Sequence, residues 1–346
     1  MGGDLGPEVA IHGAALALRE RKNIRFIFHG REAELTPLLD KYPELKPVSR
    51  IVHSETVIAM DEKPSQALRK GRGNSSMWAA LQSVKDGDAD VAISGGNTGA
   101  LMAMATFCLR PMEGISRPAI AAIWPTLRAD SIVLDVGATI GGDAKQLVDF
   151  SILGAALARA LFDQDAPTIG LLNVGTEELK GHDEVKEAAA MLRHASGEGF
   201  VYHGFVEGDD IGKGTVDVVV TEGFTGNIAL KTAEGTARQV GSYIRSALKA
   251  DVFSMLGALL AGKALNAIRR KLDPRTINGG VFLGLNGIVI KSHGGTDEIG
   301  YKSALGLAYE MARARLIDKI SEGMRRFPAF PAAPAPLPTD REAKPA

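Results

Sequence analysis

The stretch VDVVVTEGFTGNIALKTAEG, residues 216–235, decides the fold. Its VVV run at 218–220 is apolar at consecutive positions, so that strand is buried on both faces, as in a sheet covered by helices on both sides. Gly223 and Gly226 then flank a loop, Thr225 or Asn227 caps the next helix, and Lys231 lies about one turn into it. Strand, glycine loop and helix make up the repeating unit of a mainly parallel α/β sheet.

The same unit recurs outward from this stretch. Strand candidates at 90–96, 131–137, 168–175 and 288–294 run into the glycine-bearing loops SGGNTG, DVGATIGG, NVGTEELKG and KSHGG. Further strands read at 24–30, 49–55, 119–125 and 200–207. Helices read at about 7–20, 64–86, 98–108, 144–163, 183–194, 225–248, 251–271 and 302–323. In such sheets ligands sit beyond the carboxyl ends of the strands, and free helix-terminal N–H groups there bind anions. The opening MGGDLGP also reads as a loop entering a helix. A loop of this kind normally follows a strand and none precedes it, so a first strand is expected to be missing.

Bulk properties narrow the function. The 346 residues carry a formal net charge of −1, which gives no global field for nucleic acid. Aromatics make up only 5% of the chain, while there are 40 glycines, which favours tight loops over stacking platforms. The one cysteine, Cys108, reads as core and leaves no disulfide, which fits a reducing cytoplasm. No signal peptide and no 18-residue apolar run is present. HExxH, CxxC and GxSxG are all absent, so neither a metal site nor a covalent nucleophile is expected, and no cofactor is implied. Residues 1–326 read as a single α/β unit with a helical hairpin at about 240–272, and 327–346 read as a disordered Pro/Ala-rich tail.

The candidate site residues are a phosphate-holding set. Gly95, Gly96, Asn97 and Thr98 open one helix. Gly223, Thr225, Gly226, Asn227 and Lys231 open another. Ser65, Arg69, Lys70, Ser75 and Ser76 form a basic, hydroxyl-rich segment suited to phosphate. Asp135 and Asn173 end strands. Lys291, His293 and Asp4 are the candidates for catalysis, with His293 as an acid/base group. Residues 251–272 carry Val252, Met255, Leu256, Leu259 and Leu260 within a basic rim, which suits a membrane surface or an acidic partner, or else a dimer-interface or core helix.

These motifs, in this order, resemble the bacterial acyl-acyl-carrier-protein:phosphate acyltransferases of phospholipid synthesis. The matching runs are MGGDLGP, KPSQALRKGRGNSSM, SGGNTGALMA, VLDVGA, LLNVGTEELKG, TEGFTGNIALKT and NGGVFLGLNGIVIKSHG. The resemblance implies a dimeric three-layer α/β/α sandwich similar to phosphate acetyltransferases and isocitrate-type dehydrogenases. It implies transfer of an acyl group from acyl carrier protein to inorganic phosphate, without metal. It also implies peripheral contact of the 251–271 hairpin with the inner face of the cell membrane, and a functional link to glycerol-3-phosphate acyltransferase. The family usually has an apolar strand ahead of MGGD, and an Asn where Thr139 stands. The rival readings are an acetyl-CoA-type phosphate acetyltransferase, a dehydrogenase of related fold, and a non-enzymatic membrane-bound scaffold.

Overall fold

The computed structural model describes residues 1–197, 199–271, 273, 275 and 278–326, so the expected Pro/Ala-rich tail lies outside the described residues. Eight strands form one sheet: β3 (Val91–Ser94), β4 (Ala119–Pro125), β5 (Asp130–Leu134), β6 (Thr168–Leu172), β7 (Val201–Val206), β8 (Val218–Val220), β9 (Gly280–Leu283) and β10 (Ile288–Lys291). Their order is β3-β10-β9-β4-β5-β8-β6-β7. Side chains alternate across a strand. Accordingly Ile132, Leu134, Val218 and Val220 enter one core, while Val133 and Val219 enter the other. Helix α6 (Ala144–Phe162) fills the first core. Helix α5 (Thr98–Leu109), with Cys108, fills the second. The sheet is therefore covered on both faces, as the VVV run predicts.

The middle of the sheet departs from expectation. β5, β8, β6 and β7 are mutually parallel, and so are β3 and β10. The β10–β9, β9–β4 and β4–β5 pairings are antiparallel, which turns the two parallel groups against each other. The SGGNTG and KSHGG loops therefore leave one edge of the sheet, and the DVGATIGG, NVG and TEGFTG loops leave the opposite edge.

Helix α9 (Gly223–Leu248) spans the two edges. At about 1.5 Å per residue, its first eleven residues cover about 16 Å. Its last turns lead into α10 (Val252–Leu260) and α11 (Gly262–Lys271), where the hairpin is expected. The expected helix 64–86 is two helices, α3 (Pro64–Gly71) and α4 (Ser76–Lys85). Gly73, at φ +82°, breaks it, and Ser75 caps the second piece.

β1 (Phe26–Gly30) and β2 (Ser49–His53) pair only with each other. Between β1 and β3 lies a cavity of about 680 Å³. Consecutive residues of both strands, Phe26–His29 and Val91–Ser94, line it, so it is their unpaired edges that face each other. Gly2 packs on Gly96, and Gly3 on the carbonyls of Gly95 and Gly294.

Candidate active site

Three loops meet at the β3/β10 edge: Gly2–Asp4, Gly95–Thr98 and Ser292–Gly294. The Asp4 amide donates to the Gly294 carbonyl at 2.9 Å, and the Asn278 amide group bridges Ser292 and Gly300 beneath them. α5 starts at Thr98. Among the described residues, the amides of Gly95, Thr98 and Gly99 meet no protein acceptor, so they remain available to an anion at a helix N-terminus.

Two lysines flank this cradle. Lys291, the last residue of β10, donates to the Ser292 carbonyl. Burial depresses its pKa to about 8; nearby Lys231 acts in the same direction and Asp4 against it. An ammonium desolvated in this way is a strong partner for a phosphate dianion. Lys231 reaches the same place from α9 and pairs with Glu234 at 3.0 Å. The other carboxylate oxygen of Glu234 lies 3.7 Å from Nε2 of His293. Burial lowers the His293 pKa, with Glu234 opposing, so His293 is mainly neutral near pH 7 and able to accept a proton.

The structure therefore brings together Asp4, Gly95, Gly96, Thr98, Lys231, Lys291 and His293. Glu234 is a member that the sequence reading missed, although its i, i+3 spacing from Lys231 was visible.

Other candidates are corrected. The α9 amides are already taken: Gly223 donates to Thr139 Oγ1 at 3.0 Å, Phe224 and Thr225 to the Glu222 carboxylate at 2.8 and 2.7 Å, and Gly226 to the Glu222 carbonyl at 3.0 Å. Glu222, not Thr225 or Asn227, is the cap, and it fills the anion site of this helix with the protein's own carboxylate. Glu222→Ala is expected to cost about 1 kcal/mol in urea unfolding. Gly223 and Gly226 are glycine for packing: a Cβ would lie 2.6 Å from the Asp135 carboxylate at the first and 1.9 Å from the Asp135 carbonyl at the second. Thr225 and Asn227 are exposed at that same far edge.

Asp135 is fully buried and accepts from the amides of Ile120, Gly137, Ala138 and Thr139 and from the Thr139 hydroxyl. Burial pushes its carboxyl up and these donors pull it down. It organises its own loop and has no lone pair directed at a ligand. Asn173 closes the 173–181 loop by donating to the Lys180 carbonyl at 3.0 Å. Asn97 caps α5 through Ala100 and donates to the Met60 and Glu62 carbonyls at 2.8 and 2.9 Å, so its amide is structural. Ser75 is buried and caps α4, and Ser76 lines the β1/β3 cavity. α3 lies against α5, with Pro64 on Gly99. Ser65 and Arg69 on α3 are exposed, and Lys70 pairs with Glu62 at 3.2 Å. Among the described residues no cluster of His, Cys, Asp and Glu could hold a metal.

The mixed sheet with helices on both faces places the chain in a class of fold shared with solved structures. They include a phosphotransacetylase from Streptococcus pyogenes (TM-score 0.59, 19% identity, 90% of this chain and 92% of that one) and the EutD phosphotransacetylase from Staphylococcus aureus (TM-score 0.52, 16% identity, 88% and 99%). At these identities they show the fold alone. The chain itself belongs to the family described as fatty acid synthesis protein, whose model matches residues 1–319. Its relatives include proteins named phosphate acyltransferase from Chelativorans sp. (60% identity, covering 97% of this chain and 96% of the relative) and from Sinorhizobium fredii (59%, covering 94% of each).

Proposed function

We propose that the chain transfers a fatty acyl group from a thioester to inorganic phosphate, giving an acyl phosphate for phospholipid synthesis. Relatives named phosphate acyltransferase support the reaction class. The observation that carries the site assignment is the cradle of free amides at Gly95, Thr98 and Gly99 between Lys231 and Lys291.

Phosphate bound there is itself the nucleophile, so no protein nucleophile is needed. One phosphate oxygen attacks the thioester carbonyl, the tetrahedral oxyanion collapses, and the C–S bond breaks to release thiolate. His293 takes the phosphate proton and returns it to the sulfur. Holding both substrates in one geometry supplies the largest saving, and a lysine or a loop amide stabilises the oxyanion. Asp4 steadies the Gly294 loop and the Lys291 charge.

The acyl donor is an acyl carrier protein, in keeping with the motif resemblance. Presenting palmitoyl-carrier protein and phosphate is expected to yield palmitoyl phosphate and free carrier thiol. Faster turnover with acetyl-CoA would assign the chain to the acetyltransferase reading instead, and a folded protein inert to both donors would reject acyl transfer.

Two faces of the hairpin region support association. Val240, Tyr243 and Ile244 on α9 are exposed at 44%, 64% and 43%, and suit a second copy of the chain. Val252, Phe253, Leu259 and Leu260 on α10 are exposed at 77–86% and suit peripheral contact with a cytoplasmic membrane surface, which would bring the product to a glycerol-3-phosphate acyltransferase. No described helix is long and apolar enough to cross a membrane.

A further inference from the structure

Beyond Lys231, α9 carries Arg238 and Arg245, and Lys249 follows as its C-cap, spaced seven, seven and four residues apart. At 100° per residue these four fall within about 40° of one another, so they form one stripe. It starts in the site, beside Glu234 and His293, and runs about 27 Å outward. Residues 235–272 carry seven lysines and arginines against a single acid, Asp251, in a chain whose net charge is −1. Arg238 approaches Glu234 at 3.9 Å; among the described residues Arg245 and Lys249 have no acidic partner. Val240, Tyr243 and Ile244 lie on the opposite side of the helix, so a second copy covering the apolar face would leave the basic stripe in solvent.

We propose that the stripe Arg238–Arg245–Lys249 is the docking track for an acidic protein that carries the acyl thioester, steering its tethered acyl arm toward Lys231; this rests on the acyl-transfer reading above. An anionic membrane is the less suitable occupant. A flat surface would meet the exposed α10 side chains, whereas this stripe descends into the site and ends at a phosphate-binding lysine. Rows of like charge accelerate encounter with an opposite partner and lose that effect in salt.

The test is the double charge reversal R245E/K249E, which spares Arg238 beside Glu234, compared with wild type on two donors, palmitoyl-carrier protein and the small neutral thioester palmitoyl-N-acetylcysteamine. Turnover of the carrier substrate is expected to fall at least tenfold in kcat/KM and to lose most of its salt dependence, with turnover of the small donor unchanged within twofold. An equal fall on both donors, or none on either, overturns the docking track. Loss of the variant's binding to anionic vesicles with carrier turnover intact assigns the stripe to membrane contact and also overturns it. Failure of the wild type on both donors would instead condemn the acyl-transfer reading. A circular dichroism melt confirms that the variant is folded.

Discussion

Lys291→Met is expected to lower kcat/KM for phosphate by about 10²–10³-fold while leaving the fold intact. The loss of one preorganised charge-stabilising group costs that much in comparable sites. Methionine fills a similar volume at a position that is already largely desolvated, so the packing of β10 against β3 and β9 survives. The pH profile separates this charge effect from a structural one. In the proposed site Lys291 binds phosphate in its protonated form, and burial has brought its pKa down to about 8. Wild-type KM for phosphate should therefore rise as pH climbs through about 8, as the ammonium is lost. In Lys291→Met that alkaline rise should disappear, because the titrating group is gone. Steady-state kinetics between pH 6.5 and 9.5 reads both effects. A variant that keeps the alkaline rise would move the phosphate away from Lys291.

The second large effect is on stability. Gly226→Ala should cost about 3 kcal/mol or more, since the new Cβ would sit 1.9 Å from the Asp135 carbonyl oxygen. That carbonyl cannot retreat: the Asp135 amide is bonded to the Thr221 carbonyl, and its carboxylate is held by four amides. Gly235→Ala in the same helix is the internal control. A Cβ there meets nothing within 4 Å, so the substitution should stabilise by about 1 kcal/mol through helix propensity alone. Urea unfolding of the two variants should move the midpoint in opposite directions. Equal shifts would mean that the first turn of α9 is not clamped to the Asp135 loop.

Local patterns carried most of the fold. α1 (Pro7–Glu20), α6 and the β8–α9 unit lie where periodicity and glycine loops put them, because their signals are contained within the segment itself. β9 escaped notice: GVFL is four residues set among glycines, too short to show a period. With β9 went the antiparallel centre, since strand direction is a nonlocal property that depends on which strand lies next to which. That omission also explains the misplacement within the site. Read as strand–loop–helix units, SGGNTG and TEGFTG look equivalent. The reversal between β10 and β5 sends them to opposite edges, and of the TEGFTG candidates Lys231 alone, two turns along α9, returns with Glu234 to the proposed cradle. Glu222 as a helix cap had no sequence signal, because glutamate is not among the favoured capping residues.

The central claim is that phosphate, held between Lys231 and Lys291, is the attacking group. Turnover of a long-chain acyl thioester with phosphate labelled by oxygen-18 at every oxygen, followed by mass spectrometry of the acyl phosphate, tests this most directly. The account predicts a product that retains the full label, with the bridging oxygen drawn from phosphate. An acyl phosphate that has lost one labelled oxygen, or free fatty acid as the only product, would contradict it.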